Sequence, residues 1–200
     1  MSPNWRQQLA DYIRAQAQPV DKFSHQPRLY ALACELADGL SVDDDILYAA
    51  CWLHDLGVFI GHRPEDPAQL ATWDNVAYAI AQTPPLLLRF GSPPEKIPAV
   101  QAAIRDHHPQ ARPTALEAIL LHDADLLELL GAVGLLQTLG KVGRNTRYQT
   151  FADLLPVLEG YSRLDAELLS DKARQLAEPR LALLRQFLQQ AREESQGLPL

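Results

Sequence analysis

A histidine followed by an aspartate, His54-Asp55, stands at the end of an apolar helical pattern. Apolar residues in segment 46–53 recur at spacings of three and four, which predicts a helix with one buried face. A buried imidazole beside a buried carboxylate costs free energy unless a partner satisfies both, and a divalent cation is such a partner. The doublet therefore predicts a metal site at a helix end, where Gly57 is expected to close the helix in the left-handed conformation.

Other histidines and aspartates occupy similar positions on apolar patterns. His25 begins one such pattern, His107 ends another, and Asp125 lies among leucines. A carboxylate in a leucine-rich helix is hard to explain as part of a solvated face, and Asp and His are poor helix-interior residues. Asp123 points roughly 200° away from Asp125 on an ideal helix, so only one of the two should face the site and Asp123 could be solvated. Asp74 is a further candidate.

Helix-start signals locate the elements that would carry these residues. Ser41, Ser92 and Thr114 are each followed three residues later by an acidic residue, which is typical of a helix N-terminus. The first of these predicted helices ends at His54-Asp55, and the second ends near His107. The third runs through Asp125 towards Gly131. Ser2-Pro3 is expected to cap the first helix of the chain.

The fold class follows from the same patterns. Strand signals are poor, and prolines and glycines fall between helical patterns rather than inside them. These features predict an all-α, single-domain helical bundle of about eight or nine helices over residues 1–200. The metal site is expected to be built from residues 25–125, and two or three amphipathic helices within 148–194 are expected to pack on the same domain.

Composition and charge exclude several classes of partner. The chain has 200 residues and a formal net charge of −7, which argues against binding to a nucleic-acid polymer or an anionic membrane. It has no run of 18 apolar residues and no signal-peptide core, so a cytoplasmic protein is expected. Cys34 and Cys51 are interpreted as small buried hydrophobes rather than as a disulfide.

The order His…His-Asp…Asp resembles the HD-domain superfamily of metal-dependent phosphohydrolases, in particular the small single-domain bacterial HD proteins. The resemblance covers about residues 20 to 190. Five elements carry it: His25–Leu29, His54-Asp55 with the following Leu-Gly, Ile104–His107, Ala124-Asp125, and the extended run Asp123–Gly134. Two residues depart from the pattern, since Leu126 stands where relatives carry Arg and Asp153 where they often carry Lys. Many relatives also have His or Ser near Asp74.

The resemblance implies a set of roles for individual residues. A divalent ion (Mn, Fe, Co, Ni or Mg) would lie in a mixed nitrogen and oxygen site with open positions. Asp55 would also orient the water that the ion activates, and His107 would stabilise charge or protonate the leaving oxygen. The expected ligands are His25, His54, Asp55 and Asp125. The candidates for binding phosphate are Arg28, Arg63, Arg144 and Arg147. Asp123 and Asp74 are expected to support ligating side chains.

Several functions remain open on this basis. The favoured one is an enzyme, a nucleotide pyrophosphohydrolase that acts on nucleoside or deoxynucleoside triphosphates. A phosphomonoesterase acting on nucleoside monophosphates comes second, and a phosphodiesterase is less favoured. A non-catalytic metal-binding regulatory module and a purely structural metal site are the alternatives from other classes. Oligomeric state, the natural substrate and the number of ions stay open.

Overall fold

A computed structural model describes residues 4–144 and 148–198 of the chain. Within these residues the protein has ten α-helices, four short 3-10 helices and no strand, so the all-α prediction is confirmed. The predicted number of about eight or nine helices is slightly lower than the ten observed in these residues. One of the ten, Pro67–Ala71, makes little more than one turn. None of the helices in the described ranges combines the length and the hydropathy needed to cross a bilayer.

The helices divide into two compact units, Met1–Ala124 and Asp125–Leu200, and the division falls inside one continuous helix. The prediction of one domain over residues 1–200, with the C-terminal helices on it, stays a prediction. In chain order the α-helices are α1 Trp5–Gln16, α2 His25–Ala37, α3 Asp44–Leu53, α4 Pro67–Ala71, α5 Asn75–Phe90, α6 Ile97–Arg105, α7 Leu116–Leu129, α8 Gly131–Leu139, α9 Phe151–Tyr161 and α10 Asp171–Glu194. The 3-10 helices are Val20–Ser24, Leu56–Val58, Pro94–Lys96 and Leu164–Glu167.

The first unit is organised around α3. This helix lies against α1, α2 and α6, and its residues Leu47 and Ala49–Leu53 are buried. Cys51 is buried as predicted, whereas the prediction is wrong for Cys34, which is exposed on α2. The hydroxyl of Tyr30, one turn before Cys34 on α2, donates a hydrogen bond of 2.7 Å to Oδ1 of Asp44.

Carboxylates cap several of the helices. α3 begins after Asp43 rather than at Ser41, because the Asp43 side chain accepts hydrogen bonds from the backbone N–H groups of Asp45 and Ile46. Asp153, which departs from the family pattern, forms a capping box with Thr150 at the start of α9. Asn4 caps α1, and the predicted cap Ser2-Pro3 lies outside the described residues.

The prediction that prolines lie between helices is wrong. Beyond the first turn of a helix, the exceptions are Pro84 and Pro85 in α5, Pro156 in α9 and Pro179 in α10. A proline inside a helix leaves the carbonyl four residues earlier without its usual N–H donor. For Pro84 that carbonyl belongs to Ile80, and the Gln101 side chain of α6 donates to it at 3.0 Å. A neighbouring helix thus supplies the missing donor.

Gly57 does not close α3 in the left-handed conformation, which corrects the prediction made for it. It lies in the 3-10 helix Leu56–Val58, and the reason for a glycine is close packing instead. A Cβ atom built on Gly57 would lie 2.5 Å from the backbone oxygen of Asn75 at the start of α5. The Gly57 carbonyl also accepts a hydrogen bond of 2.8 Å from Nε1 of Trp73. These contacts hold the segment that follows His54-Asp55 against α5.

A network of charges connects the N-terminus of α3 to its neighbours. Lys96 lies 2.9 Å from an Asp43 carboxylate oxygen and 2.8 Å from an Asp45 oxygen, and Arg6 of α1 pairs with Asp44 and Asp45. The hydrogen bonds from Lys96 hold the pKa values of Asp43 and Asp45 below the ordinary value of 3.8. The carboxylates also lie where the partial positive charge of the α3 N-terminus favours them.

The second unit contains three packed helices, α8, α9 and α10. Residues 148–194 hold two of them, in agreement with the two or three amphipathic helices predicted there. The backbone carbonyl of Leu127 accepts a hydrogen bond of 2.7 Å from the Arg180 guanidinium of α10. Gly131 is the first residue of α8 and has a φ of 85°. A Cβ atom added to Gly131 would lie 3.2 Å from the side chain of Arg180.

The Lys96 contacts predict how stability depends on pH. A carboxyl group whose pKa is lowered on folding stabilises the protein above its ordinary pKa, and this stability is lost as the pH falls through the lowered value. The free energy of unfolding, measured with urea at pH 7 and pH 3, should therefore decrease less in Lys96→Gln than in the wild type. Lys22→Gln makes the same charge change away from these carboxylates and should behave like the wild type. Equal decreases in all three proteins would contradict the prediction.

The close approach at Gly57 predicts a destabilising substitution. Gly57→Ala should lower the free energy of unfolding by about 1–3 kcal/mol, because Asn75 or the 3-10 helix must shift to admit the methyl group. Gly160→Ala is the matched control. Gly160 lies inside α9 with no atom within 4 Å of an added Cβ, so alanine should stabilise the protein by up to roughly 1 kcal/mol. Destabilisation of the same size in both variants would refute the packing explanation.

Candidate metal centre

His54 is fully buried at the C-terminus of α3, where the helix has unpaired backbone carbonyls. Its backbone N–H donates to the Ala50 oxygen at 3.0 Å, and its ring Nδ1 lies 3.0 Å from the Cys51 oxygen. A carbonyl only accepts hydrogen bonds, so Nδ1 carries the hydrogen. In the neutral ring, Nε2 then presents a lone pair, which is the form in which an imidazole binds a metal ion.

Two side chains of the first unit surround this nitrogen. His25, the first residue of α2, places its Nε2 3.2 Å from Nε2 of His54. The Asp55 Oδ2 atom lies 3.9 Å from the His25 nitrogen and 3.8 Å from the His54 nitrogen. Asp55 is the most accessible of the three, with 31% of its side chain exposed, against 13% for His25 and 0% for His54. The Asp55 carboxylate therefore lies on the solvent side of the two imidazoles.

Asp125 supplies a second carboxylate. It lies on α7, the helix whose residues Leu116–Ala124 belong to the first unit. One oxygen of Asp125 and one nitrogen each of His25 and His54 all lie within 4.8 Å of one another. We refer to His25, His54, Asp55 and Asp125 as the ligand cluster. These are the four ligands expected from the sequence.

His107 lies beside the cluster and repeats the arrangement of His54. It is buried just after the end of α6, and its ring is perpendicular to that of His54 with 5.3 Å between centroids. Its Nδ1 lies 2.5 Å from the Ile104 oxygen, three residues earlier, so in a neutral ring the lone pair is again on Nε2. The exposed ring of His108 stacks on His107 at 5.1 Å.

The remaining predicted residues take varied positions. Asp123 is fully buried, so the alternative of a solvated side chain is wrong, and its Oδ1 lies 3.1 Å from Nδ1 of His122. Asp74 is exposed and caps α5, since it accepts a hydrogen bond of 2.8 Å from the Ala77 N–H. Leu126, at the position of the family arginine, is buried in the core. The roles of Asp123 and Asp74 as supports stay predictions.

The predicted phosphate-binding arginines are distributed along the chain. Arg28 is half-buried on α2, three residues after His25 and therefore on the same side of the helix. Arg63 lies in the loop after the 3-10 helix Leu56–Val58, where its backbone pairs with Ile60. Arg144 is exposed after α8, and Arg147 lies outside the described residues. Arg28 is thus the candidate that shares an element with a member of the ligand cluster.

The sequence analysis missed His122, although a signal was present. His122-Asp123 is a second His-Asp doublet in an apolar helix, like His54-Asp55. Both of its residues are fully buried, and the His122 Nε2 atom lies 3.3 Å from the Pro109 oxygen. The local pattern does not reveal the contact with Pro109, because that contact depends on how the loop before α7 folds back.

Solved structures with the same fold come from several bacteria. YpgQ of Bacillus subtilis is 24% identical, with a TM-score of 0.71 over 96% of this chain and 98% of that chain. The structure of YpgQ in complex with ADP gives 21% identity and a TM-score of 0.68 over the same shares of the two chains. An HD-superfamily hydrolase of Bacillus thuringiensis is 20% identical, with a TM-score of 0.67 over 96% of this chain and 97% of that chain.

The sequence itself identifies the family. No curated protein sequence matches this chain. The chain does match the HD domain over residues 23–130, which is more than half of its length and includes the whole ligand cluster. The protein therefore belongs to the HD domain family.

Proposed function

We propose that this protein is a metal-dependent phosphohydrolase that uses the ligand cluster to bind a divalent cation. One observation carries the proposal. The Cys51 carbonyl fixes the hydrogen of His54 on Nδ1, so the Nε2 lone pair faces His25 at 3.2 Å. Carboxylates from Asp55 and Asp125 lie beside this pair of nitrogens and would balance the charge of a cation.

The donor set fits a divalent ion. Two nitrogens facing each other at 3.2 Å either share a hydrogen or both direct lone pairs at one cation, and the adjacent carboxylates favour the cation. Two imidazoles with two carboxylates suit Mn, Fe, Co, Ni or Mg better than a closed structural zinc site. When bound, such an ion lowers the pKa of a water molecule and polarises a phosphoryl oxygen.

Residues of the chain would complete the reaction. The Asp55 carboxylate lies on the solvent side of the cluster, where it can orient an attacking water and accept its proton. In the imidazolium form, Nε2 of His107 can deliver its proton to the leaving oxygen, which leaves a neutral ring with Nδ1–H still bonded to the Ile104 carbonyl. Arg28 follows His25 on α2 and can hold a phosphate group through two parallel hydrogen bonds. Arg63, Arg144 and Arg147 are the further candidates for this role.

The substrate we propose is a nucleoside or deoxynucleoside triphosphate, cleaved to a monophosphate and pyrophosphate. The ADP complex of YpgQ supports a nucleotide, since a protein with the same fold binds one. A divalent ion would also match the charge of a triphosphate, which the net charge of −7 would otherwise repel. We place the protein in the cytoplasm, where nucleotides and reduced cysteines are both found.

Product release from a nucleotide panel tests the proposal. Metal-stripped protein is mixed with Mn, Co, Ni or Mg and with triphosphates, diphosphates, monophosphates and cyclic nucleotides. We expect pyrophosphate from triphosphates only when metal is present. Release of orthophosphate from monophosphates would show that the protein is a phosphomonoesterase and not a pyrophosphohydrolase. A metal-loaded protein that releases neither product would instead be a binding module or have a substrate of another class.

Substitution of Asp55, the accessible member of the ligand cluster, tests whether metal binding and hydrolysis both depend on the cluster. Asp55→Ala should abolish binding of the added metal and lower kcat by roughly a thousandfold or more, because charge stabilisation worth several kcal/mol is lost. Asp171→Ala removes a carboxylate that is 94% exposed and should leave both properties unchanged. Metal binding by calorimetry and turnover are measured on both variants. Full hydrolysis by Asp55→Ala in metal-replete buffer would show that the proposed mechanism is wrong.

A further inference from the structure

The second His-Asp doublet lies on α7, the same helix as Asp125. His122 and Asp123 both have 0% exposed side chains, which is unusual for two ionisable groups. The ring of His122 has a contact at each nitrogen. Nδ1 lies 3.1 Å from Oδ1 of Asp123, and Nε2 lies 3.3 Å from the backbone oxygen of Pro109.

The two contacts hold in either arrangement of the proton. The Pro109 carbonyl only accepts, so Nε2 of His122 must carry a hydrogen. On the other side, either an imidazolium donates to the Asp123 carboxylate or a neutral ring accepts from the carboxylic acid. Both arrangements keep the hydrogen bond to Pro109. The doublet is therefore a fixed buried connection from α7 to the loop before it.

That loop carries His107 and His108. The turn is short, since the Ala111 N–H donates to the His108 oxygen at 2.9 Å. Pro109 follows directly after the stacked rings of His107 and His108. The hydrogen bond from His122 to the Pro109 carbonyl therefore connects α7 to this turn. The exposed Arg112 also reaches the Pro109 oxygen, but at 3.4 Å and from the solvent side. Among the described contacts, the one from His122 alone comes from a fully buried donor.

We propose that His122, anchored by Asp123, is a positioning residue that holds His107 at the ligand cluster. His122 does not touch the reacting atoms. It fixes the Pro109 carbonyl and thereby keeps the ring of His107 5.3 Å from that of His54. The inference rests on the proposed function for its kinetic consequence, because it assigns the proton transfer to His107.

A pair of matched substitutions separates positioning from stability. The amide nitrogen of Gln reaches about as far as Nε2 of His, and that of Asn about as far as Nδ1. His122→Gln therefore keeps a donor for the Pro109 carbonyl and loses the Asp123 contact. His122→Asn keeps the Asp123 contact and loses the connection to Pro109. Each variant loses one of the two hydrogen bonds of the buried His122 side chain, so their melting temperatures should be similar.

The kinetic outcome differs between the two variants. His122→Asn should lower kcat about tenfold or more with little change in KM, since misplacement of a reacting group acts on the chemical step. His122→Gln should retain most of the wild-type kcat. Equal losses in both variants, a loss in Gln alone, or a loss in neither would overturn the proposal.

A spectroscopic measurement keeps the inference independent of the proposed function. Ring nitrogen chemical shifts of His107 should report the Nδ1–H tautomer in the wild type and in His122→Gln, and a mixture of tautomers in His122→Asn. If the wild type hydrolyses nothing, the proposed function fails and these shifts still decide the positioning role. If His122→Asn does not fold, His122→Met takes its place: methionine has about the size of the glutamine variant but no donor for the Pro109 carbonyl, and it should give the same mixture of tautomers. Unchanged signals in the folded variant would overturn the inference.

Discussion

The hydrogen bond from Nδ1 of His54 to the Cys51 carbonyl determines what the buried imidazole can do. It settles which nitrogen carries the hydrogen and turns the other towards His25. A neutral imidazole in an apolar helix would otherwise be a cost to stability without a function. The contact depends in turn on the placement of α3, which packs against three helices and is held at its N-terminus by Lys96 and Arg6.

The same hydrogen bond ends a helix and orients a histidine ring in this protein. The last carbonyls of a helix have no N–H partner within it, and a side-chain donor just past the end can satisfy one. His54 does this at the end of α3, and His107 does it at the end of α6. In both cases the donor to the helix is Nδ1, so the second ring nitrogen faces away from the backbone. Two helix ends thus present Nε2 atoms to one region of the first unit, with ring centroids 5.3 Å apart.

The sequence predicted much of this region, because apolar periodicity places a residue on a helix and on one of its faces. The position of Asp125 among leucines predicts a carboxylate at the site, and this carboxylate does lie beside two imidazoles. The errors involve contacts between elements that are distant in sequence. Gly57 is a glycine because Asn75 comes close, and Pro84 is tolerated because Gln101 donates from another helix. Neither contact leaves a mark in the local pattern.

We propose that His25, His54, Asp55 and Asp125 together bind one divalent cation. Anomalous diffraction from crystals grown with Mn²⁺ tests it most directly, since the signal locates the ion without reference to activity. The account predicts an anomalous peak at bonding distance from Nε2 of both histidines and from at least one carboxylate. The two nitrogens, 3.2 Å apart here, would then both face the ion. A cluster without a peak, with the two nitrogens still in mutual contact at saturating Mn²⁺, would contradict the account.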